Sequence, residues 1–269
     1  MTTCLIALGS NLGDRNATLE AAIDALIATP GVQLLRHSRW QETKPVGGWA
    51  RQPGFLNGAA VLETSHEPAT FHQLLQQIET RHGRQRHERW ADRTLDLDLL
   101  LYGDQTIDTP ALTVPHPRMS FRRFVLEPAA EIAGSLVHPT IGWTLDKLLQ
   151  HLDAGADCVA IVSPQESARR DLAAMLRGRF GMTDIGPSLV NEQLWPAAAT
   201  IWLAVPSGRV SSEHPKLTIL LGPPESNQTG RGPTLQIPAT SRDSVVHDAF
   251  AAVEAVWPRL GPLGRERLQ

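Results

Sequence analysis

The chain has 269 residues, enough for one large domain or two smaller ones. Its formal net charge of -3 argues against a protein whose main partner is nucleic acid or an anionic membrane, because such proteins usually carry a basic surplus. No run of about 18 apolar residues is present, and the N-terminal residues lack the basic segment and cleavage site of a secretory signal. The two widely separated cysteines, Cys4 and Cys158, are expected to be reduced and buried. These features together predict a soluble cytoplasmic protein.

Strand and helix patterns alternate in the first half of the chain. Strands are predicted at 4–8, 32–41, 55–63 and 94–102, one helix follows the first strand, and another covers 67–81. This β-α-β-β-α-β order is that of a ferredoxin-like fold, an α+β arrangement in which a four-stranded antiparallel sheet carries its helices on one face. A proline-rich loop and a helical segment near 120–133 follow.

The composition changes near residue 155. Three strands and two helices are predicted beyond it, the strands at 157–162, 199–205 and 216–221 and the helices at 166–180 and 241–257. We interpret residues 1–155 as the first domain and 156–269 as a smaller α/β domain. The segment that begins at Val159 has the strand-turn-helix outline of a phosphate-binding loop, but it lacks the glycines and the lysine. A structural or dimerising role, through which an oligomer could form, is favoured over a degenerate module similar to deoxynucleoside kinases.

Asp96 and Asp98 stand two residues apart in the fourth predicted strand. Side chains at this spacing share one face of a strand, with Cα atoms roughly 6.5 to 7 Å apart, whereas Leu95, Leu97 and Leu99 point to the core. Two carboxylates placed in this way repel each other, and a hard divalent cation relieves the repulsion. Magnesium is the leading candidate.

Basic residues cluster immediately before the two aspartates. The arginines of this cluster are Arg81, Arg84, Arg86, Arg89 and Arg93, and Trp90 lies among them. They could form a solvated basic face, but planar guanidinium groups beside metal-binding carboxylates are better suited to a triphosphate. Trp90 could pack in the core or stack on a base.

Further candidates lie outside this run. His116 is flanked by two prolines in the loop after the fourth strand, and Arg122, which follows it, could close over phosphates. A structural, hydrogen-bonded histidine is the competing interpretation. Phe55 and Asn57 alternate onto one face of the third strand, a pairing that suits a flat heterocycle, although ordinary strand packing explains it equally well. Phe124 could cover the opposite side of such a ring.

Six short segments, in this order, resemble one enzyme family. They are ALGSNLG at 7–13, TKPVG at 43–47, QPGFLN at 52–57, IE and GR within 78–84, RWADRTLDLDL at 89–99, and VPHP with Met119, Arg122 and Phe124 at 114–124. Over residues 4 to about 135 the chain is similar to 6-hydroxymethyl-7,8-dihydropterin pyrophosphokinase of folate biosynthesis. The resemblance implies a ferredoxin-like fold, transfer of pyrophosphate from ATP to a small pterin, two Mg²⁺ ions and AMP as the leaving group.

The resemblance also implies a role for each matching position. Asp96 and Asp98 match the metal ligands. Arg84, Arg93, His116 and Arg122 match the catalytic contacts to the polyphosphate, and the nucleotide pocket adds Gln76, Glu79, Arg86, Trp90 and Leu99. Thr43, Val46, Phe55, Asn57 and Phe124 match the pterin pocket. Ala91 replaces a frequent glycine and Phe55 a frequent tyrosine, which puts details of the pockets in doubt.

Two other classes of function compete with this enzyme. Ferredoxin-like sheets often present aromatic residues to single-stranded RNA, so an RNA-binding module is one alternative. Asp96 and Asp98 oppose it, because carboxylates repel a phosphodiester in the absence of a metal. The second alternative is a catalytically silent regulator on the same scaffold, which the intact aspartates and arginines argue against.

Overall fold

A computed structural model describes residues 1–46, 53–83, 94–185, 200–206, 208, 214–222, 232–238 and 241–260. Contacts within the chain divide it into two units, Met1–Leu149 (unit 1) and Gln150–Gln269 (unit 2). The division falls inside a helix, a few residues before the domain boundary predicted from composition. The roles given to the two domains stay predictions. None of the helices in the described ranges is long and apolar enough to cross a membrane.

Unit 1 is built from seven strands and three helices, with a fourth helix at its end. They are β1 (Thr2–Ser10), α1 (Arg15–Ile27), β2 (Val32–His37), β3 (Gln41–Thr43), β4 (Phe55–Thr64), α2 (Pro68–Arg81), β5 (Asp96–Tyr102), β6 (Ile107–Asp108), β7 (Thr113–Val114), α3 (Arg123–Ala133) and α4 (Leu145–Ala154). A 3₁₀ turn, Met119–Phe121, precedes α3. These counts refer to the described parts of the unit.

The main sheet of unit 1 is antiparallel, with strand order β2-β4-β1-β5. The mixed helix-and-sheet class with an antiparallel sheet is therefore confirmed. The sheet has five strands, one more than predicted, because the expected strand 32–41 ends at His37 and a separate short strand, β3, begins at its last residue, Gln41, and also pairs with β4. At the break, Ser38 Oγ accepts a hydrogen bond from the amide of Ala59 and donates one to the carbonyl of Arg39. The amide of Ser38 still donates to the carbonyl of Ala59, but the Ser38 hydroxyl takes the place of a backbone carbonyl as the acceptor for the amide of Ala59.

One face of this sheet carries α1 and α2. Alternate residues of β1, such as Ile6 and Leu8, are buried in a core cluster with Leu19 of α1 and Phe71 of α2. Burying each large apolar side chain of this kind contributes roughly 1.5–3 kcal/mol. Helix α1 begins where Asp14 Oδ1 accepts a hydrogen bond from the amide of Ala17, a normal N-cap interaction.

Helix α3 covers part of the other face. It contacts β4, β3 and β1, and its buried residues Val125, Leu126 and Ala129 are outside the cluster formed with α1 and α2. Glu131 on α3 accepts a hydrogen bond from Arg39 Nε at 3.0 Å, just before β3. The last turn of α3 is therefore held beside the start of β3, one of the strands that carry the predicted site.

Unit 2 has a mixed five-stranded sheet with strand order β12-β11-β8-β10-β9. Its elements are β8 (Ala156–Val162), α5 (Glu166–Phe180), β9 (Thr183–Asp184), β10 (Thr200–Ala204), β11 (Pro215–Leu221), β12 (Thr234–Ile237) and α6 (Arg242–Val256). β11 runs parallel to both β8 and β12, whereas β10 is antiparallel to β8 and β9. Helix α5 contacts β8 and β10, and α6 contacts β11 and β12.

A buried ion pair joins three elements of unit 2. Lys216 Nζ on β11 lies 2.6 Å from Asp157 Oδ1 on β8, and the same oxygen accepts a hydrogen bond from Trp257 Nε1 at 3.0 Å, just after α6. Because breaking one partner of such a pair leaves an uncompensated charge, these contacts fix the strands and the helix end to one another.

Both cysteines are free and buried, one in each unit. Burial raises the pKa of the Cys4 thiol and of the Cys158 thiol to about 12. Both thiols are therefore protonated at neutral pH and unreactive as nucleophiles.

The close contact between Trp40 and Gly58 gives a stability prediction for unit 1. A Cβ on Gly58 would lie 2.4 Å from ring carbons of Trp40, whose Nε1 donates to Glu20 Oε1 at 2.6 Å and so restrains the ring. We expect Gly58→Ala to lower the free energy of unfolding by about 1–3 kcal/mol, as overpacking does. Chemical denaturation followed by circular dichroism measures the change. The double variant Gly58→Ala/Trp40→Leu should lose less than the two single losses added together.

Gly178 on α5 provides a control, since a Cβ at this position would have no neighbouring atom within 4 Å. Gly178→Ala should be neutral or stabilising because alanine favours a helix. Equal losses for Gly58→Ala and Gly178→Ala would contradict the overpacking explanation.

His138 gives a prediction on pH. Its Nδ1 accepts a hydrogen bond from the amide of Ile141, and burial lowers its pKa to about 4. The unfolded chain, in which the histidine pKa is about 6.5, therefore binds a proton between pH 6.5 and 4 that the folded chain does not, so stability falls as the pH falls through this range. His138→Asn keeps an acceptor but cannot titrate. Between pH 7 and 5 the variant should lose less unfolding free energy than the wild type, by on the order of 1–2 kcal/mol; parallel pH profiles would refute this.

Candidate active site

Asp96 and Asp98 lie on one face at the start of β5. Asp96 pairs with Gly9 and Asp98 with Ala7 of β1, while the side chain of Leu97 between them is buried on the opposite face. The side chain of Asp98 is 35% exposed. The alternation inferred from the sequence is therefore the one that the strand adopts, and both carboxylates lie on the face opposite α1 and α2.

Glu79 supports β5 from the side of α2. It is 1% exposed, and its Oε1 accepts a hydrogen bond from the amide of Leu97 at 2.8 Å. The bond is made on the edge of β5 that is not paired with β1, between the two aspartates in sequence. A buried amide that lost this acceptor would be left unsatisfied, so the contact fixes the part of the strand that carries both carboxylates.

His116 lies beside Asp98 as a neutral hydrogen-bond donor. Its amide donates to the carbonyl of Leu100, and its Nδ1 accepts from the amide of Arg118 at 3.2 Å, which leaves the ring proton on Nε2. Nε2 is 3.8 Å from Asp98 Oδ2. Burial, followed by the charges of Arg122 and Arg118, lowers the pKa of His116 to about 3, so the ring carries no charge at neutral pH.

Thr43, Phe55 and Asn57 meet where β3 pairs with β4. Thr43 is opposite Phe55, and Asn57 Nδ2 donates to Thr43 Oγ1 at 2.7 Å. A Cβ on Gly9 would lie 2.9 Å from Asn57 Oδ1 and 4.0 Å from Phe55 Cδ1. The absence of a side chain at Gly9 therefore keeps the space in front of the amide and the ring open.

Gly9 connects the two groups of residues. It pairs with Asn57 on β4 and with Asp96 on β5, so the amide and the carboxylate share one face across three adjacent strands. Strands are about 4.8 Å apart, which separates the two backbones by about 10 Å. A flat ring at Asn57 with a short arm can span this distance and reach groups held at the aspartates.

Other predicted residues are placed around this centre. The Arg122 guanidinium carbon lies 5.5 Å from the centre of the Phe124 ring, where α3 begins. Gln76 Nε2 is 2.8 Å from His72 Nε2 on α2, and Val46 is half-buried at the end of the first described segment. The side chain of Leu99 is buried in the core, so its backbone is the part that could line a pocket.

Four predicted residues, Arg84, Arg86, Trp90 and Arg93, lie outside the described residues. Conversely, sequence reasoning did not assign roles to Gly9 as the spacer between the two groups or to Arg118 as the partner that orients His116. The alternation of side chains along β1 and β5 could have shown that Gly9 lies on the same face as the aspartates. The contact of Arg118 uses its backbone amide, which no side-chain pattern reports.

Comparison with known proteins matches this region to one family. The model of the family 7,8-dihydro-6-hydroxymethylpterin-pyrophosphokinase (HPPK) matches residues 5–134, which lie within unit 1. A curated relative from Synechocystis, a 2-amino-4-hydroxy-6-hydroxymethyldihydropteridine pyrophosphokinase, is 40% identical over 152 residues, 56% of this chain and 77% of the relative. The chain belongs to the HPPK family. A second HPPK relative, from Pseudomonas aeruginosa, is 45% identical over 134 residues, 50% of this chain and 82% of the relative.

Solved structures show a more distant similarity to HPPK. A crystal structure of HPPK-DHPS in complex with substrates is 12% identical with a TM-score of 0.44, over 55% of this chain and 43% of that one. The crystal structure of wild-type Plasmodium falciparum HPPK-DHPS with pteroate is 14% identical with a TM-score of 0.45, over 55% of this chain and 42% of that one. The chain thus spans less than half the length of these two-part proteins.

The contact of Glu79 predicts a specific defect in an HPPK. Glu79→Leu leaves the buried amide of Leu97 without its acceptor, which costs about 1–3 kcal/mol, and lets β5 shift. Since a displacement of 1 Å at reacting groups can cost about 10²-fold in rate, we expect kcat to fall on that order and half-saturation by Mg²⁺ to need a higher concentration.

Glu79→Gln keeps an oxygen acceptor for the same amide and is the matched control. It should stay within about tenfold of the wild-type kcat, since the amide of Leu97 keeps a hydrogen-bond acceptor. Steady-state assays at varied Mg²⁺ measure both variants. A Glu79→Leu variant with normal kcat and normal Mg²⁺ dependence would show that the contact does not position the aspartates.

Proposed function

We propose that the chain transfers pyrophosphate from ATP to 6-hydroxymethyl-7,8-dihydropterin, giving the pterin diphosphate and AMP, in folate biosynthesis. Membership of the HPPK family supports this reaction. The observation that carries it for this chain is the register of Gly9, which puts the amide of Asn57 and the carboxylate of Asp96 on one face. A ring-binding group and a metal-binding group are thereby about as far apart as the two ends of the reaction require.

The residues present fit Mg²⁺. Among the described residues no group of three or more His, Cys, Asp or Glu side chains could hold a metal ion, so the chain offers Asp96 and Asp98 as a pair. Mg²⁺ is commonly bound by one or two carboxylates, with phosphate oxygens and water as its other ligands. Two ions shared by the aspartates and the triphosphate would neutralise the charge that develops as the phosphoryl group moves.

Within the proposed reaction, the protein's own residues bind and orient. Asn57 donates to Thr43 and turns its Oδ1 towards Gly9, where it can accept a hydrogen bond from a ring N–H. Phe55 and Phe124 supply aromatic surface for the ring. Neutral His116 can donate from Nε2 to a phosphate oxygen, and Arg122 adds positive charge nearby.

Chemistry then follows from this positioning. The hydroxymethyl oxygen attacks the β-phosphorus and its proton is released to solvent water, while the bond to the oxygen bridging the α- and β-phosphates breaks and AMP departs with that oxygen. We include Arg84 and Arg93 among the residues that contact the polyphosphate, and Gln76, Glu79, Arg86, Trp90 and Leu99 around the nucleotide. Val46 completes the proposed pterin pocket.

The finer description of the protein is also part of this proposal. We assign unit 1 to the ferredoxin-like fold, supported by the antiparallel order β2-β4-β1-β5 with α1 and α2 on one face. The free thiols of Cys4 and Cys158 suit a reducing compartment, the cytoplasm. Unit 2 has a structural or dimerising role, and the protein acts on small molecules rather than nucleic acid or membranes.

The deciding experiment follows nucleotide products. With ATP, Mg²⁺ and 6-hydroxymethyl-7,8-dihydropterin, the full chain should form AMP and the pterin diphosphate in equal amounts. Asp96→Asn and Asp98→Asn should each lower kcat at least about a hundredfold, because each removes a charge that holds the metal. Asp104→Asn, in the exposed turn after β5, is the matched control and should retain activity.

Production of ADP in place of AMP would contradict pyrophosphate transfer. The absence of any nucleotide product would favour the silent regulator. Near-normal kcat in either aspartate variant would contradict the metal assignment, while circular dichroism of both variants verifies that they fold.

A further inference from the structure

Arg15 joins the strand β3 to the residue before β4, next to the proposed pterin pocket. It is the first residue of α1, and its Nη1 donates to Glu42 Oε1 at 3.0 Å and to the carbonyl of Gly54 at 2.7 Å. Glu42 is on β3, and Gly54 immediately precedes β4. One guanidinium nitrogen therefore holds both stems of the connection between these strands.

The contact is made behind the pocket rather than in it. Thr43 and Asn57 are on the face that carries the aspartates, and Glu42, the neighbour of Thr43, is on the face of α1 because side chains alternate along a strand. Thr43 directly follows Glu42, and Phe55 directly follows Gly54. Because Arg15 fixes Glu42 and Gly54, it also fixes the spacing between Thr43 and Phe55 across the hairpin.

Gly54 shows how closely the stems approach each other. A Cβ there would lie 3.2 Å from Glu42 Oε1 and 3.4 Å from the carbonyl oxygen of Thr43. The position therefore leaves little space for a side chain. The side chain of Arg15 is 30% exposed and that of Glu42 is 68% exposed, so the ion pair itself is partly solvated. Its effect is expected on the local geometry of the stems more than on global stability.

We propose that Arg15 is a positioning residue that sets affinity for the ring substrate by clamping the stems of the β3–β4 loop. The identity of the ring as a pterin rests on the proposed function. A pocket whose walls are held before the ligand arrives loses less conformational entropy on binding, which is the source of the affinity. The residues proposed to contact ATP are other ones, so the affinity for ATP should not depend on the clamp.

Arg15→Met tests the clamp, since it keeps the aliphatic stem and removes both donated bonds. Hydrogen exchange measured by mass spectrometry should be faster in the peptides that cover 41–46 and 54–57. The KM for the pterin should rise about tenfold, whereas kcat and the KM for ATP stay within about threefold of the wild-type values. The single variant Glu42→Gln, which keeps an oxygen acceptor for Arg15, should leave both readouts near the wild-type level.

Arg36→Met is the matched control, because Arg36 is exposed on β2 of the same sheet. It should change neither exchange nor KM. The proposal is overturned if Arg15→Met and Arg36→Met behave alike, or if exchange accelerates while the KM for the pterin is unchanged. A parallel rise in the KM for ATP would also overturn it, since that indicates general disruption.

The two proposals fail in different ways. A wild-type chain that forms no AMP refutes the proposed function, and the exchange comparison together with direct binding of the pterin then decides the clamp. Faster exchange and weaker pterin binding in Arg15→Met support the clamp even if the wild-type chain forms no AMP. Unchanged exchange in Arg15→Met refutes the clamp and does not bear on pyrophosphate transfer.

Discussion

The register of β1 between β4 and β5 is the constraint on which the candidate site depends. Because Gly9 pairs with both Asn57 and Asp96, and side chains alternate along strands, one register places the amide and the carboxylate on the same face. A slip of one residue in either pairing would turn one of them towards α1 and α2. Burial of Ile6 and Leu8 against those helices opposes such a slip. The chemistry on one face is therefore determined by hydrophobic packing on the other.

The same two helices also contribute polar contacts from behind the sheet. Glu79 on α2 holds the amide of Leu97 in the strand of the aspartates, and Arg15 on α1 holds the stem of the loop beside the candidate ring pocket. Each contact connects a rigid element to a segment that must be positioned to within a fraction of an ångström for catalysis. Helix α2 therefore supports the strand that carries Asp96 and Asp98, and α1 supports the strands that carry Thr43 and Phe55. Strand β1, which carries Gly9, lies between β4 and β5 in the sheet.

Local pattern was sufficient to predict some features and insufficient for others. Alternation of charged and apolar residues placed Asp96 and Asp98 on one face, because the direction of a strand side chain depends only on its neighbours. The same reasoning predicted a continuous strand where Ser38 bonds to Ala59 and interrupts it. The contact of Arg15 with Gly54 joins residues 39 positions apart, and a contact of this kind depends on how the completed fold brings helix and strand together. Such supporting contacts are the least visible in a single sequence.

The connection between β8 and α5 in unit 2 is closed by its own hydrogen bonds. β8 runs parallel to β11, and α5 is the element that follows β8 in the chain. Here Ser163 Oγ accepts a hydrogen bond from the amide of Gln165, and the buried side chain of Arg169 donates one to the carbonyl of Ser163. An amide engaged in this way does not donate to a phosphate, and Glu166 adds negative charge at the first turn of the helix. Ser163 and Gln165 are thus held by contacts within the connection itself.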